Sequence, residues 1–385
     1  MDQAIFEQLQ QTLAAKGPAA AIEQLCTDLR EQKDYTGLFY ALLMKRRHEL
    51  GVSPIPTAPA QELPVEAHAP YEDAIREAAR TVGDLHLRAG EIPQAWVYFR
   101  MIGEPEPVRA ALEAHEPRED EDLQTLVQIA FYEGVHPRKG FDWILTRYGI
   151  CNSITTLSSQ MDLPHAPDVR PYCVQRLVRA LYDELRERLR ADIERREEPP
   201  AAGARVRDLL AGRDWLFADE FAHIDTSHLS SVVQMSTQLE PGAELDMARE
   251  LCTYGQRLSG RLRYPGDPPF EDTYRDYGVY LSILAGDGVE EGLAHFRTKA
   301  EQADPETIGT YPAEVLVNLL LRLDRPAEAL TVARRFLAGV TDRRLTCPGV
   351  GELCQKVKDY RTLAEVAREQ GDPVHFVAGL IAERR

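Results

Sequence analysis

The stretch YEDAIREAARTVGDLHLRAGEIPQAWVYFRMIGEPEPV, residues 71–108, constrains the fold more than any other part of the chain. Gly83 is followed by Gly90 seven residues on, then Ala95 after five, Phe99 after four and Pro107 after eight. Each position has a physical reason. Small residues at Gly83 and Ala95 let two antiparallel helices approach closely, and Gly90 supplies the turn between them. Phe99 fills the groove that the close approach creates. Pro107, which has no N–H to donate, is expected to end the second helix.

The C-terminal third repeats this pattern. Gly292 takes the small-residue position in YGVYLSILAGDGVEEGLAHFRTKAEQADP, with Phe296 four residues later. Ala329 takes it in the next unit and Ala364 in the one after, at intervals of 37 and 35 residues. A period of about 34 residues marks helix–turn–helix repeats. These segments, about residues 70–115 and 275–385, resemble tetratricopeptide-type helical hairpins at the superfamily level. The later units depart from the first: Ala333 and Arg368 stand where Phe99 stands. The resemblance implies an α-solenoid, whose stacked hairpins form a concave surface for peptides or partner proteins.

Elsewhere the pattern is also helical, and no strand-like alternation persists. Residues 3–50 read as two or three helices closed by Gly51. Five prolines between residues 52 and 70 predict an extended connector, with Val52, Ile55, Leu63 and Val65 available to pack. From Tyr172, the stripe Val174, Leu177, Leu181, Leu185, Leu189 and Ile193 predicts one long amphipathic helix, stopped by Pro199 and Pro200. The expected organisation is an N-terminal hairpin over 1–51, the connector over 52–70, and a repeat unit with the long helix over 71–198. A linker over 199–204 and a polar cluster followed by C-terminal repeats over 205–385 complete it. The fold class expected is all-α, a tetratricopeptide-like solenoid with an irregular helical middle.

Charge narrows the partners. Sixty-two acids against 45 bases give a net charge of -17. Nucleic-acid affinity comes mainly from neutralised phosphates, so nucleic acid and anionic lipid are both disfavoured. The basic run Arg186–Arg196 is interleaved with Glu187, Asp192 and Glu194. Six cysteines without a CxxC pair read as reduced, mostly buried thiols, not a disulfide or zinc framework. The first residues, MDQAIFEQLQQTLAAKG, lack the basic start of a signal peptide, so a cytoplasmic location is expected.

Three constellations are candidates for chemistry. His223, Asp225 and His228 fall within six residues of one another, downstream of Glu220. Two imidazoles and a carboxylate form a common ligand set for zinc, manganese or iron. The competing reading makes Asp225 or Thr226 a helix N-cap and leaves both histidines in local hydrogen bonds. A second cluster, Asp267, Glu271, Asp272 and Asp276 among three tyrosines, follows in RLRYPGDPPFEDTYRDYG. Glu271 or Asp272 is the candidate general base for a site completed by His223 and His228, or else these acids favour the start of the next helix. Third, Cys151 precedes a hydroxyl-rich run, with His136 upstream, as a nucleophile candidate weighed against an inert thiol. His295 and His375 read as half-buried packing residues. His48, His68, His86, His115 and His165 stand isolated.

The function these features favour is a protein-interaction scaffold that holds a basic or mixed-charge protein or peptide partner in a repeat groove. The alternative is a metal-dependent hydrolase or lyase built on the His/Asp cluster.

Overall fold

The structure, a computed structural model, describes residues 3–59, 63–159, 168–218, 220–340 and 344–384. His165 and part of the Pro-rich connector lie outside the described residues. All regular structure among the described residues is helical. None of these helices is long and apolar enough to cross a membrane. The chain forms two compact units, residues 1–148 and 149–385, a division that falls inside the expected segment 71–198.

The first unit contains α1 (Gln3–Lys16), α2 (Pro18–Glu31), α3 (Tyr35–Glu49), α4 (Val65–Arg88), α5 (Ile92–Ile102), α6 (Glu106–Ala114), α7 (Gln124–Val127) and α8 (Pro137–Trp143). Helices α7 and α8 each run on into a widened π turn, Gln128–Tyr132 and Ile144–Tyr148. From α1 to α6 each helix packs on the next. Gly51 follows α3 with a φ of 71°, and its N–H and that of Val52 return to the last turn of the helix.

Helices α4 and α5 form the hairpin expected from the spacing of Gly83, Gly90, Ala95 and Phe99. A Cβ on Gly83 would lie 2.5 Å from the Phe99 ring, so only glycine permits this approach. Gly90 turns the chain with a φ of 77°, and Ala95 and Phe99 are buried. Pro107 has a different role from the one expected. Helix α5 ends at Ile102 with left-handed Gly103, and Pro107 sits in the first turn of α6, where its missing N–H costs nothing.

The connector is shorter than expected, because residues 65–70 already belong to α4, with Pro70 inside the helix. It lies against the unit because of Arg47. That side chain is buried on α3 and donates to the carbonyls of Ser53 (2.8 Å) and Ala58 (3.0 Å), with its guanidinium 5.2 Å from the centre of the Tyr71 ring. Leu63 is buried, whereas Ile55 and Val65 face solvent.

The second unit is organised on a long helix. It comprises α9 (Gly149–Ser159), α10 (Val169–Glu194), α11 (Val206–Leu210), α12 (Thr226–Met235), α13 (Ala243–Arg257), α14 (Thr273–Leu284), α15 (Val289–Gln302), α16 (Tyr311–Arg322), α17 (Pro326–Phe336), α18 (Val350–Val357), α19 (Tyr360–Glu369) and α20 (Pro373–Ala382). The full stripe from Val174 to Ile193 on α10 is buried, against α9, α11, α12 and α13. Residues 199–204 turn back beside α10, where Arg190 donates to the carbonyls of Pro200 and Ala201.

From α13 onward each helix packs on its successor through to α20. A Cβ on Gly292 would meet Ile283 at 2.4 Å, so α15 approaches α14 as closely as α5 approaches α4. Ala329, Ala333 and Ala364 are buried. Arg368 is exposed and stacks on Phe376 of α20, 4.8 Å from the ring centre.

Overpacking such a contact should be measurable. Gly83→Ala is expected to lower stability by about 1–3 kcal/mol in denaturant unfolding, and the double variant with Phe99→Leu should recover part of the loss. Equal stability of Gly83→Ala and the natural chain would contradict the close approach.

Candidate functional site

A cleft of about 590 Å³ runs across α13, α14 and α15 in the second unit. Its walls include Arg249, Glu250 and Thr253 from α13, Arg275 and Ser282 from α14, and Glu291 and His295 from α15. A second cleft of about 480 Å³ adjoins it and shares Glu291 and His295. Its own walls include Pro268, Glu271, Lys299 and Ile308.

Behind these walls lies Asp276, in the first turn of α14 and 1% exposed. A buried carboxylate is tolerated only when its lone pairs are filled. Asp276 accepts from His295 Nε2 (2.8 Å), from Lys299 Nζ (3.0 Å) and from the backbone N–H of Asp272 (2.9 Å). Lys299 also bonds Glu271. Burial alone would lower the Lys299 pKa, but its bonds to Glu271 and Asp276 outweigh it and raise the ammonium above the usual range. Burial pushes the Glu271 carboxyl up, but the bond to Lys299, a backbone N–H bond and the nearby Lys299 charge together bring it below the usual range. His295 donates through Nε2, so in its neutral form Nδ1 is an acceptor. The close approach at Gly292, one turn earlier on α15, brings His295 within reach of Asp276.

The upper wall has its own buried acid. Glu250 on α13 is 6% exposed and accepts from the Tyr182 hydroxyl of α10 at 2.6 Å. Arg205 Nε lies 2.8 Å from its other oxygen, an ion pair off the hydrogen-bond direction. The Tyr182 hydroxyl in turn accepts from Val206 N–H at 3.0 Å, fixing the start of α11. Burial, followed by the bond to Glu250, raises the Tyr182 pKa.

The first sequence cluster is arranged differently. His223 is 1% exposed, its Nδ1 3.1 Å from the Tyr254 hydroxyl and its Nε2 3.2 Å from Asp192 of α10. Its backbone N–H donates to the same Tyr254 hydroxyl at 2.7 Å, and its carbonyl accepts from Arg188. Burial lowers the His223 pKa against the opposing pull of Asp192. Asp225 is exposed and caps α12, accepting from the backbone N–H groups of Ser227 (2.8 Å) and His228 (3.2 Å). The Ser227 hydroxyl bond, followed by these N–H bonds, lowers the pKa of its carboxyl. Among the described residues, no three His, Cys, Asp or Glu side chains are placed to hold a metal ion. His223, Asp225 and His228 are therefore not assembled as the expected ligand set for zinc, manganese or iron. One histidine is sealed in the core, and the aspartate is spent as a helix cap.

Glu271 and Asp272 also part company. Glu271 lines the second cleft and pairs with Lys299, whereas the Asp272 side chain makes no cap bond and only its N–H joins the network. His223 has Asp192 and Tyr254 as partners, so the two sequence clusters form separate networks. Cys151 is exposed on α9, and His136 in the first unit pairs with Glu113 at 2.6 Å. His295 and Lys299 were missed as site residues. They lie four residues apart on one helix face, a signal that gains meaning only once α14 is known to lie opposite.

Comparisons with protein-family models, with curated proteins and with solved structures found no match.

Removing one partner of a buried charge leaves the other uncompensated. Asp276→Asn is expected to cost about 2–4 kcal/mol in denaturant unfolding, and Glu271→Gln, at a half-exposed carboxylate, less than about 1 kcal/mol. The reverse order would contradict the network. His223 predicts a pH effect. Its folded pKa lies below the ordinary 6.5, so under that pH the unfolded chain binds a proton that the folded chain refuses. Stability is therefore lost as pH falls through 6.5 toward the depressed folded value. His223→Gln should shrink the stability difference between about pH 7.5 and about pH 5.5; an unchanged difference would assign that loss to other groups.

Proposed function

We propose that this chain is a tetratricopeptide-like α-solenoid serving as a protein-interaction scaffold, and that its cleft across α13–α15 receives a protein or peptide partner. The observation that carries this reading is an open cleft spanning three successive helices of a serial array. Its walls are held from behind by the Asp276 and Glu250 networks. Pre-ordered walls reduce the entropy lost on binding. The serial packing of α14 to α20, with Gly292 at a close contact and Ala329 and Ala364 buried, supports the repeat assignment.

The partner is of mixed charge. The cleft over α13–α15 is lined by four arginines (Arg205, Arg207, Arg249, Arg275) and four acids (Asp246, Glu250, Asp287, Glu291), within a chain of net charge -17. A balanced cleft on a strongly acidic molecule suits neither a polyanion nor a purely basic segment.

Thr253 is exposed in the wall of the cleft. Peptides selected on the full chain from a random display library should lose affinity by about tenfold or more when Thr253→Trp fills that space, with the circular dichroism and unfolding midpoint unchanged. Peptides that bind the filled variant within about twofold of the natural chain would place the partner surface elsewhere.

A further inference from the structure

The charged residues of the cleft are almost all neutralised within the molecule. Arg205 pairs with Glu250 at 2.8 Å, and Arg207 approaches the same carboxylate at 3.9 Å. Arg249 reaches Asp287 at 2.6 Å and Asp246 at 3.3 Å. In the adjoining cleft Lys299 joins Glu271 and Asp276. Two residues remain. Among the described residues, neither the Arg275 side chain of α14 nor the Glu291 side chain of α15 has an ion-pair or hydrogen-bond partner, and both are exposed. They carry opposite charges, on adjacent helices, in the walls of one cleft.

We propose that the cleft reads an oppositely charged pair of side chains in its partner, with an acidic group at Arg275 and a basic group at Glu291. This rests on the scaffold reading above. The guanidinium of Arg275 presents paired N–H donors that match a carboxylate. Glu291 offers acceptor oxygens, and one helical turn further along α15 His295, in its neutral form, offers Nδ1, its other nitrogen being held by Asp276. A lysine or arginine head group satisfies both. The aliphatic stem of such a side chain has apolar cover in the adjoining cleft, where Pro268, Ala294 and Ile308 line the walls around Glu291 and His295. Internal pairing of the other cleft charges sharpens this selection: a ligand gains little by competing for Arg249 or Lys299, whose partners are already in place.

The test uses the full chain and peptides selected on it from a random display library, with affinities read by fluorescence anisotropy. Selected peptides should carry one acidic and one basic residue. Arg275→Glu and Glu291→Arg should each weaken binding by about tenfold, with a smaller loss at high salt. The double variant should regain affinity for a peptide in which the acidic and basic residues are exchanged. Circular dichroism and the unfolding midpoint serve as controls, since both side chains are exposed. If both single variants bind within about twofold of the natural chain while Thr253→Trp still abolishes binding, the charge-pair inference is overturned and the scaffold reading stands. If no peptide is enriched, or if binding ignores Thr253→Trp as well, both fall.

Discussion

The close approach of antiparallel helices at a residue without a side chain is the contact on which the other features depend. At Gly83 and again at Gly292 the facing side chain, Phe99 or Ile283, occupies the space a Cβ would take. Such a contact fixes both the distance between helices and their register, because sliding by one residue would drive a side chain into the gap. In the second unit that register decides which residues of α15 face α14. His295 and Lys299 meet Asp276 because Gly292 sits where it does. A charge network that could not be stable on a single helix is sealed between two.

The all-helical character of the fold was legible in the sequence. The stripe on α10 and the spacing of Gly83, Gly90, Ala95 and Phe99 depend on local periodicity, which a chain shows without reference to distant residues. The boundaries were less legible. Pro107 has the same missing N–H at either end of a helix, so its sequence does not say whether it ends one helix or begins the next. Pro70 sits inside α4 because packing along a long helix outweighs the loss of one backbone bond.

The site was legible in part. The acids at 271–276 were visible as a cluster, but their partners come from another helix, and sequence distance hides such pairs. His223, Asp225 and His228 looked like a set because they are neighbours in the chain. Between His223 and Asp225 the backbone passes from core to surface: one is almost wholly buried and the other faces solvent as a cap. Proximity in sequence is a weak guide where the chain enters a helix, since the residues on either side of the cap answer to different surroundings. The two residues that stand out in the cleft, Arg275 and Glu291, are ordinary surface charges in the sequence. They are distinguished only by the other acids and arginines that line the cleft having found partners.

The cysteines give the molecule a property of another kind. Five of the six thiols are buried, and Cys151 on α9 is exposed. A thiol-selective reagent therefore meets one ready sulfur while the chain is folded, and the others become reachable only as helices open. Each buried thiol reports on its own neighbourhood: Cys26 on α2, Cys173 and Cys252 on the surroundings of the long helix, Cys347 and Cys354 on the C-terminal helices. The native sequence thus carries its own set of chemical clocks, distributed along the chain, by which the order of local opening can be followed without adding a label.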